Sequence, residues 1–244
     1  MESSIIVALS RQAGLRRQLD VIANNMANMN TTGFKGQNLM FVDLLVKNRS
    51  ADRPLESKVA YTRDIATWRD YSEGPLKDTG NPLDVAVRGD GYFVIDTPDG
   101  ERYTRNGRFM LNDQGQLVNE RGDAVMSEGG QPFTINPEDQ QIAIARDGTV
   151  STAAGDLGRL RVVRFDNQQG LRETFSGLYT STEDPQPVDA PDVVQGMLEG
   201  SNVEAVVELT RMIDVNRQHS GVSKFIDSED ERIRRMVREL LSPS

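Results

Sequence analysis

Apolar side chains recur at steps of three and four residues between positions 4 and 29, and this spacing predicts one amphipathic helix. Arg16, Arg17 and Asp20 lie largely off the apolar stripe. The stripe is narrow and close to heptad spacing, which is typical of a helix that pairs with another helix. Its residues are Ile5, Leu9, Gln12, Leu15, Leu19, Ile22, Met26 and Met29.

Between about residues 81 and 180 the apolar period changes to two, which indicates strands. Leu83, Val85 and Val87 alternate with polar residues, and so do Phe93 and Ile95. Dipeptides such as Asp-Gly and Asn-Gly recur here, and they predict hairpin turns in which glycine supplies a positive φ. The glycines concerned are Gly91, Gly100, Gly107, Gly115 and Gly122. We therefore predict a central, mainly antiparallel β domain at residues 81–182.

The helical period returns near the carboxyl end. Ser201 and Glu204 match a capping box, in which two side chains satisfy free backbone N–H groups at a helix start. A second such pair, Ser228 and Glu231, predicts a separate terminal helix after a break at Gly221. The stripe of the longer helix is Val203, Val206, Thr210, Ile213, Arg217 and Ser220.

Two segments without a clear period separate these parts. Residues 34–80 predict an irregular connector, within which FVDLLV (41–46) continues a helix or a strand. Residues 183–200 begin with three prolines among acidic residues and predict a linker that leaves the β domain. The predicted domains are an assembly helix at 1–33, the connector at 34–80, the β domain at 81–182, the linker at 183–200 and assembly helices at 201–244.

The fold class predicted from this layout is α+β. The amino-terminal and carboxy-terminal helices pair into a coiled-coil-like tail, because an isolated helix is marginal in water and each stripe needs a partner. Two helices still leave apolar and amide groups exposed. We therefore expect those groups to contact other chains.

Four asparagines crowd the end of the first helical stripe, at Asn24, Asn25, Asn28 and Asn30. Asparagine is a poor helix former, but its amide offers both donors and acceptors to the free carbonyl groups of a helix end. Gly33 can take the left-handed conformation that stops a helix. Two hypotheses remain open for the amides: they cap the helix within the chain, or they also bridge to neighbouring chains.

Composition narrows the classes of function. The 244 residues carry a formal net charge of −9 and no basic stripe with interleaved aromatic residues, which argues against a nucleic-acid partner. Hydrophobic residues make up 37%, and no run approaches the roughly 18 apolar residues of a membrane span, so we expect no membrane insertion. The apolar run at Ile5–Leu9 lacks a preceding basic region and does not predict a cleaved signal peptide.

The sequence offers little for catalysis. Cysteine is absent and His219 is the one histidine, so a transition-metal site would need carboxylates alone. The chain has no G-x-S-x-G elbow, no phosphate-binding P-loop and no H-E-x-x-H motif. We expect a protein that is not an enzyme and that holds no cofactor and no metal.

Three motifs resemble the flagellar rod and hook protein family. LDVIANNMANMNTTGFKGQ (19–37) is similar to the signature that follows the first helix in that family. The stretch from TGNPLDVAVRGDGYFVIDTPDG to GDAVM (79–126) resembles its β-domain signature, and QGMLEGSNVEAVVELTRMIDVNRQ (195–218) its carboxy-terminal helix motif. The opening and the segment AYTRDIATWRD (60–70) resemble the proximal rod member of the family, and the distal rod member is the alternative.

The resemblance implies a structural subunit of the axial tube of the bacterial flagellum, located in the periplasmic rod of the basal body. Such subunits are exported unfolded by the flagellar type III apparatus without a cleaved signal. Their partners are rod subunits of the same and of different kinds. Their terminal helices stay mobile in the monomer and become ordered on assembly.

Together with the helical stripes, the resemblance predicts the residues that contact other subunits. In the amino-terminal part they are Leu9, Leu15, Leu19, Ile22, Asn24, Asn25, Met26, Asn28, Gly33 and Phe34. In the carboxy-terminal part they are Ser201, Asn202, Val203, Val206, Ile213 and Arg217.

Two functions from other classes stay open at this point. A secreted binding module or adhesin could use the β domain as a monomer, with both ends of the chain ordered. A peptidoglycan hydrolase would suit a structure that crosses the cell wall, but no motif in the sequence supports one.

Overall fold

Two long helices flank a series of short strands in the computed structural model, which describes residues 2–47, 58–136, 141–174 and 177–241. The helices are α1 (Glu2–Ala27) and α2 (Ala205–Leu241), and a short 3₁₀ helix spans Gln168–Gly170. The first strands are β1 (Gln37–Lys47), β2 (Lys58–Arg69), β3 (Leu76–Asp78), β4 (Val85–Arg88), β5 (Tyr92–Thr97), β6 (Gly100–Thr104), β7 (Met110–Leu111), β8 (Leu117–Val118) and β9 (Ala124–Val125). The later strands are β10 (Ala143–Ile144), β11 (Thr149–Thr152), β12 (Gly155–Arg159), β13 (Val162–Arg164), β14 (Arg172–Glu173), β15 (Leu178–Thr180), β16 (Gln186–Pro187), β17 (Asp192–Gln195) and β18 (Met197–Glu199).

The chain divides into two compact units. Unit 1 comprises residues 1–27, 37–68 and 204–244, and unit 2 comprises residues 28–36 and 69–203. Unit 1 holds both helices and the two-stranded sheet of β1 and β2. Unit 2 holds the remaining strands, whose ladders are antiparallel. The predicted α+β class, with terminal helices and a central antiparallel β domain, is confirmed.

Unit 1 is organised by the contact between α1 and α2. Asn25 near the end of α1 meets Glu208 near the start of α2, whereas Arg11 lies 3.5 Å from Gln218 further along α2. The partner number rises as the α1 number falls, so the two helices run antiparallel. Leu15, Ile22 and Val215 are the fully buried side chains of their contact.

Unit 2 is built around β5, which is buried on both faces. The largest sheet runs in the order β14-β15-β6-β5-β9-β8-β7, with β13 also pairing β5. Phe93 and Ile95 point into one apolar core, while Tyr92 and Val94 point into a second core on the other face. Because successive side chains of a strand face opposite ways, the uninterrupted apolar run in β5 serves two cores at once.

Strands replace the predicted connector and linker. The interval 34–80, predicted to be irregular, contains β1, with FVDLLV inside it, and β2. The proline-rich interval contains β16 and β17, and β17 pairs with β4 inside unit 2. Proline is compatible with these positions because Pro187 lies in β16, which pairs only with β13 among the described strands, and Pro191 precedes β17.

Two glycines of the predicted turns have another role. Gly100, Gly115 and Gly122 have a positive φ, as predicted, but Gly91 and Gly107 do not. A Cβ on Gly107 would lie 1.6 Å from the carbonyl oxygen of Val85, and one on Gly91 would lie 2.6 Å from a methyl group of Val87. Close packing against β4, rather than turn geometry, therefore requires glycine at these two positions.

The buried tyrosines of unit 2 predict a loss of stability at alkaline pH. Burial raises the pKa of Tyr179 to about 12, although Arg69 opposes the shift, and burial also raises the pKa of Tyr92. A raised pKa in the folded state means that stability is fully present below the unfolded value of about 10 and is lost as pH rises through about 12. Ionisation of Tyr179 should lower the free energy of unfolding by roughly 3 kcal/mol over this pH range. Urea unfolding followed by β-sheet circular dichroism should show this fall, and Tyr179→Phe should make it shallower. Parallel pH profiles for both proteins would contradict the assignment.

Candidate assembly surface of the helix pair

The Asn25 side chain joins three elements of unit 1. Its amide nitrogen donates to the carbonyl of Gln37 at 2.8 Å and lies 3.4 Å from the carboxylate of Glu208. Its amide oxygen accepts from the backbone N–H of Gln37 at 2.9 Å. The residue is only 3% exposed. The end of α1, the start of β1 and the start of α2 therefore meet at one amide.

Asparagine suits this position because an amide carries donors and an acceptor on the same short side chain. A carboxylate could accept from the Gln37 N–H but could not donate to the Gln37 carbonyl. Glu208, which is also buried, receives a second contact from Arg211 at 2.7 Å. The Asn25 amide therefore bonds within the chain, but to β1 and α2 rather than to the free carbonyl groups at the end of α1.

The neighbouring asparagines lie in different surroundings. Asn24 is exposed on α1. The half-buried Asn28 accepts from the hydroxyl of Thr31 at 3.1 Å, in the turn that follows the helix. A bridge from these two residues to neighbouring chains stays a prediction.

Four residues of the α1 stripe line the contact with α2. Leu15 and Ile22 are buried there, and Leu19 and Met26 pack beside them against Met212, Val215 and Val222. Leu9 does not belong to this contact, because it is 49% exposed and Ala8 is buried instead. Ala8 precedes Leu15 by seven residues, so it continues the heptad more regularly than Leu9 does.

The contact face of α2 is not the stripe expected from the sequence. The buried and half-buried side chains of α2 follow one another at alternating steps of four and three residues. They are Glu208, Met212, Val215, His219, Val222, Ile226, Glu229 and Ile233, and Ser223 next to Val222 is also half-buried. Three polar residues, Glu208, His219 and Glu229, interrupt this seam, so that a search for apolar spacing missed it. The expected stripe lies on the opposite face, where Val206 is 78% exposed and Ile213 and Arg217 are also exposed.

The two predicted helix starts and the predicted break are corrected by the structure. α2 begins at Ala205, after Glu204, whose carbonyl accepts the first helical bond from Glu208. Ser201 instead accepts from the N–H of Val203 in unit 2. The helix continues through Gly221 and Ser228, because glycine costs only about 1 kcal/mol in a helix and the seam runs past it.

The outer face of the helix pair presents apolar side chains to solvent. On α1 these are Ile6 and Leu9, and on α2 they include Val206, Val207, Leu209, Ile213 and Phe225. A shallow groove on α2 lies beside Ile213, at the place where Ser220 and Gly221 are small and Arg217 and Lys224 are charged. Exposed apolar patches of this kind are typical of surfaces that bind another protein.

The other predicted contact residues belong to unit 2. Phe34 and Ser201 are buried there, and Val203 is half-buried. Gly33 has the expected left-handed conformation, with a φ of 68°, but α1 ends six residues earlier at Ala27, so Gly33 does not stop the helix. Asn202 accepts from the N–H of Gly36 at 2.8 Å.

Neither helix of the described chain is long and apolar enough to cross a membrane. Within the same residues, no cluster of histidine, aspartate and glutamate side chains could hold a metal ion.

Family models match three parts of the chain. Residues 5–35 match a flagella basal body rod protein model, and residues 86–152 match the flagellar hook protein FlgE/F/G D1 domain. Residues 194–239 match the flagellar basal body rod FlgEFG protein C-terminal model. The first and last matches coincide with α1 and most of α2.

Curated relatives match nearly the whole chain. The flagellar basal-body rod protein FlgF of Caulobacter vibrioides is 39% identical over 98% of both chains. FlgF of Mesorhizobium japonicum is 35% identical over 96% of this chain and 98% of its own. The flagellar basal-body rod protein FlgG of Bacillus subtilis is 34% identical over 97% of this chain and 98% of its own.

Replacing Asn25 by alanine should loosen the helix pair. The backbone N–H and carbonyl of Gln37 would lose their partner, and an unsatisfied buried polar group costs about 1–3 kcal/mol. Helical circular dichroism of the full chain should therefore fall more readily with urea in the variant. Asn216→Ala, at an exposed site on α2, is the matched control; because alanine is the better helix former, its curve should shift slightly toward higher urea, opposite to the shift expected for Asn25→Ala. Equal curves for Asn25→Ala and the unchanged chain would contradict the role of the amide.

Proposed function

Because the chain belongs to the flagellar basal-body rod protein family, which includes FlgF and FlgG, we propose that it is a structural rod subunit that polymerises through its terminal helices. The observation that carries this proposal is the match to FlgF proteins along nearly the whole chain, including both helices. A structural role also agrees with the exposed apolar surface on the helix pair.

Packing explains why the helix pair needs neighbours. Leu15, Ile22 and Val215 are the fully buried side chains of its apolar cluster, and four others are half-buried. Such a thin core offsets little of the entropy that ordering two long helices costs. Burial of the outer face against neighbouring subunits supplies further apolar area, and mass action then shifts the marginally stable helix pair further toward the ordered state in the assembly.

The exposed residues of the two helices offer different surfaces to different neighbours. Ile6 and Leu9 belong to α1, whereas Val206 and Ile213 belong to α2. If the α1 surface of one subunit meets the α2 surface of the next, the contact is heterologous, and such contacts build open helical filaments. We propose this arrangement for the rod, with Asn24 and Asn28 at the edge of the contact.

The FlgF type is favoured over the FlgG type within the family, since the two FlgF relatives above are more similar to this chain than the FlgG relative of B. subtilis. For the FlgF type we propose a place in the proximal rod, with rod subunits of its own and other kinds as partners. Export through the flagellar type III apparatus into the periplasm completes the proposal. A gene deletion restored by this chain distinguishes the types, because it should replace FlgF and not FlgG.

Charge on the outer face of α2 should prevent assembly. The double variant Val206→Glu and Ile213→Glu keeps good helix formers but places carboxylates where the neighbour's apolar surface would lie. Cells that carry it should lose motility and contain no rod-incorporated subunit, while the melting of unit 2 is unchanged. Leu157→Glu, an exposed apolar site in unit 2, is the control and should support motility. Normal motility with the double variant would refute the proposed contact.

Limited proteolysis should separate the monomer from the assembly. In dilute monomer the segments Glu2–Ala27 and Ala205–Leu241 should be cut early, whereas unit 2 should survive, because its two apolar cores do not depend on neighbours. In isolated rods the same segments should resist cleavage. Protease-resistant helices in the dilute monomer would contradict assembly-dependent order.

A further inference from the structure

Three charged side chains lie together in the interior of unit 2. Lys35 and Glu199 are each 1% exposed, and Nζ of Lys35 donates to Oε1 of Glu199 at 2.6 Å. The same Nζ donates to the carbonyl of Ser72 at 2.7 Å, and the N–H of Gly74 donates to Oε1 of Glu199 at 3.0 Å. Nε of Arg105 lies 2.9 Å from Oε2 of Glu199 without the alignment of a hydrogen bond, so that this contact is an ion pair.

One carboxylate therefore faces two buried cations. Glu73 also approaches Arg105, at 4.0 Å, but its side chain is half exposed. Burial lowers the pKa of Lys35, Glu199 opposes that shift, and Arg105 adds to it. Glu199 is thus the group whose removal would leave the largest uncompensated buried charge.

Backbone and amide contacts tie the same segments together. The Asn202 amide donates to the carbonyl of Asp70 and accepts from the N–H of Gly36, both at 2.8 Å. The N–H of Gly33 donates to the carbonyl of Glu199, and the N–H of Asp70 to the carbonyl of Gly36, again both at 2.8 Å. Each of three chain segments thus contacts the other two.

The segments are packed too closely to shift one at a time. A Cβ on Gly74 would lie 2.0 Å from the carbonyl oxygen of Gly200. The N–H of Gly200 in turn donates to the carbonyl of Pro75 at 2.8 Å. The backbones around Gly74 and Gly200 are therefore in direct contact, and a displacement of one disturbs the other.

We propose that Gly33–Gly36, Asp70–Gly74 and Glu199–Asn202 form a latch that opens and closes as one cooperative element, separately from the two apolar cores of unit 2. Opening of Glu199–Asn202 takes the shared carboxylate away from Lys35 and Arg105, and opening of Gly33–Gly36 separates Lys35 from Glu199. Breaking a buried ion pair is strongly destabilising. The remaining contacts then open with it, as in other local unfolding units.

In the latch, the motif around Gly33–Lys35 holds the amino-terminal segment of unit 2 against Glu199. The chain continues from Gly36 into β1 and, after Asn202, into α2. Opening of the latch would therefore free the amino-terminal and carboxy-terminal arms of unit 2 together.

Amide hydrogen exchange on the full chain tests the cooperativity. Asn202→Ala removes the direct acceptor of the Gly36 N–H, but it leaves the acceptors of Gly33 and Gly74, which belong to Glu199. If the latch is one element, all three amides should exchange at least about tenfold faster. Glu199→Gln should do the same, including at Gly36, which does not bond to Glu199. Acceleration confined to the directly altered bond would overturn the proposal.

Reference amides and matched variants define the background. The N–H groups of Leu117 and Met126, which bond to Phe133 and Val94 in the β domain, should keep their protection in both variants. Asn167→Ala and Glu101→Gln, at more exposed sites of unit 2, should leave the three latch amides unchanged. Equal acceleration at latch and reference amides would mean global unfolding and would also overturn the proposal.

The unchanged protein provides a test that requires no variant to fold. In native-state exchange at low urea, the amides of Gly33, Gly36 and Gly74 should share one opening free energy and one urea dependence, both smaller than those of Leu117 and Met126. Different urea dependences among the three latch amides would exclude a single element. Adding Lys35→Met to Glu199→Gln removes one of the two orphaned cations and should recover part of the protection. Purely additive effects of the two changes would contradict the charge coupling.

Discussion

Two helices can share only one face, and this constraint decides how unit 1 is built. The shared face is a heptad seam along α1 and α2, with three fully buried side chains at its centre. The opposite face of α2 keeps Val206 and Ile213 in solvent. In a helix pair of this kind the apolar side chains that the shared face does not bury are exposed to solvent. Only another molecule can cover them. The polar residues are placed accordingly, since Glu208 enters the seam where the Asn25 amide can meet it.

Unit 2 buries its apolar side chains in a different way. A sheet has two faces, and β5 buries both of them, so that Phe93 and Tyr92 contribute to separate cores on adjacent positions of one strand. Unit 2 is therefore stabilised by its own interior. The contrast between a self-sufficient β unit and an incomplete helix pair is the physical basis for assigning assembly to unit 1.

The periodicity of apolar residues gave correct predictions where one face of an element packs against one partner. The α1 stripe was right at Leu15, Leu19, Ile22 and Met26, because one apolar face meets one partner. At Leu9 the stripe is displaced by one position, since Leu9 is exposed and the adjacent Ala8 is buried. On α2 the periodicity selected the face opposite to the one that meets α1, because Glu208 and His219 interrupt the apolar spacing of the seam near the start of the helix. No local sequence pattern predicts that the Asn25 amide donates to the buried carboxylate of Glu208, since the two residues are 183 positions apart.

Long-range pairing also explains the other failures. Proline and loop composition suggested a linker before α2, yet β17 and β18 find β4 and β3 as partners far back in the sequence. Likewise Gly91 and Gly107 read as turn residues, although contact with β4 excludes any larger side chain. The three segments that carry the family resemblance overlap the stretches that the family models match. The resemblance did not reveal that Gly33, Phe34 and Asn202 lie within unit 2, a fact that depends on tertiary packing alone.

The pairing of β3 and β4 with the last strands of unit 2 sets the order in which the chain can fold. Lys35 and Glu199 are 164 residues apart, and the loop between them must close before their ion pair forms. A chain that emerges from the ribosome amino end first holds β3 and β4 without partners until β17 and β18 have followed. Unit 2 therefore includes ladders that can form only after its last strands have been made, in contrast to its local hairpins, and closing so long a loop slows that step.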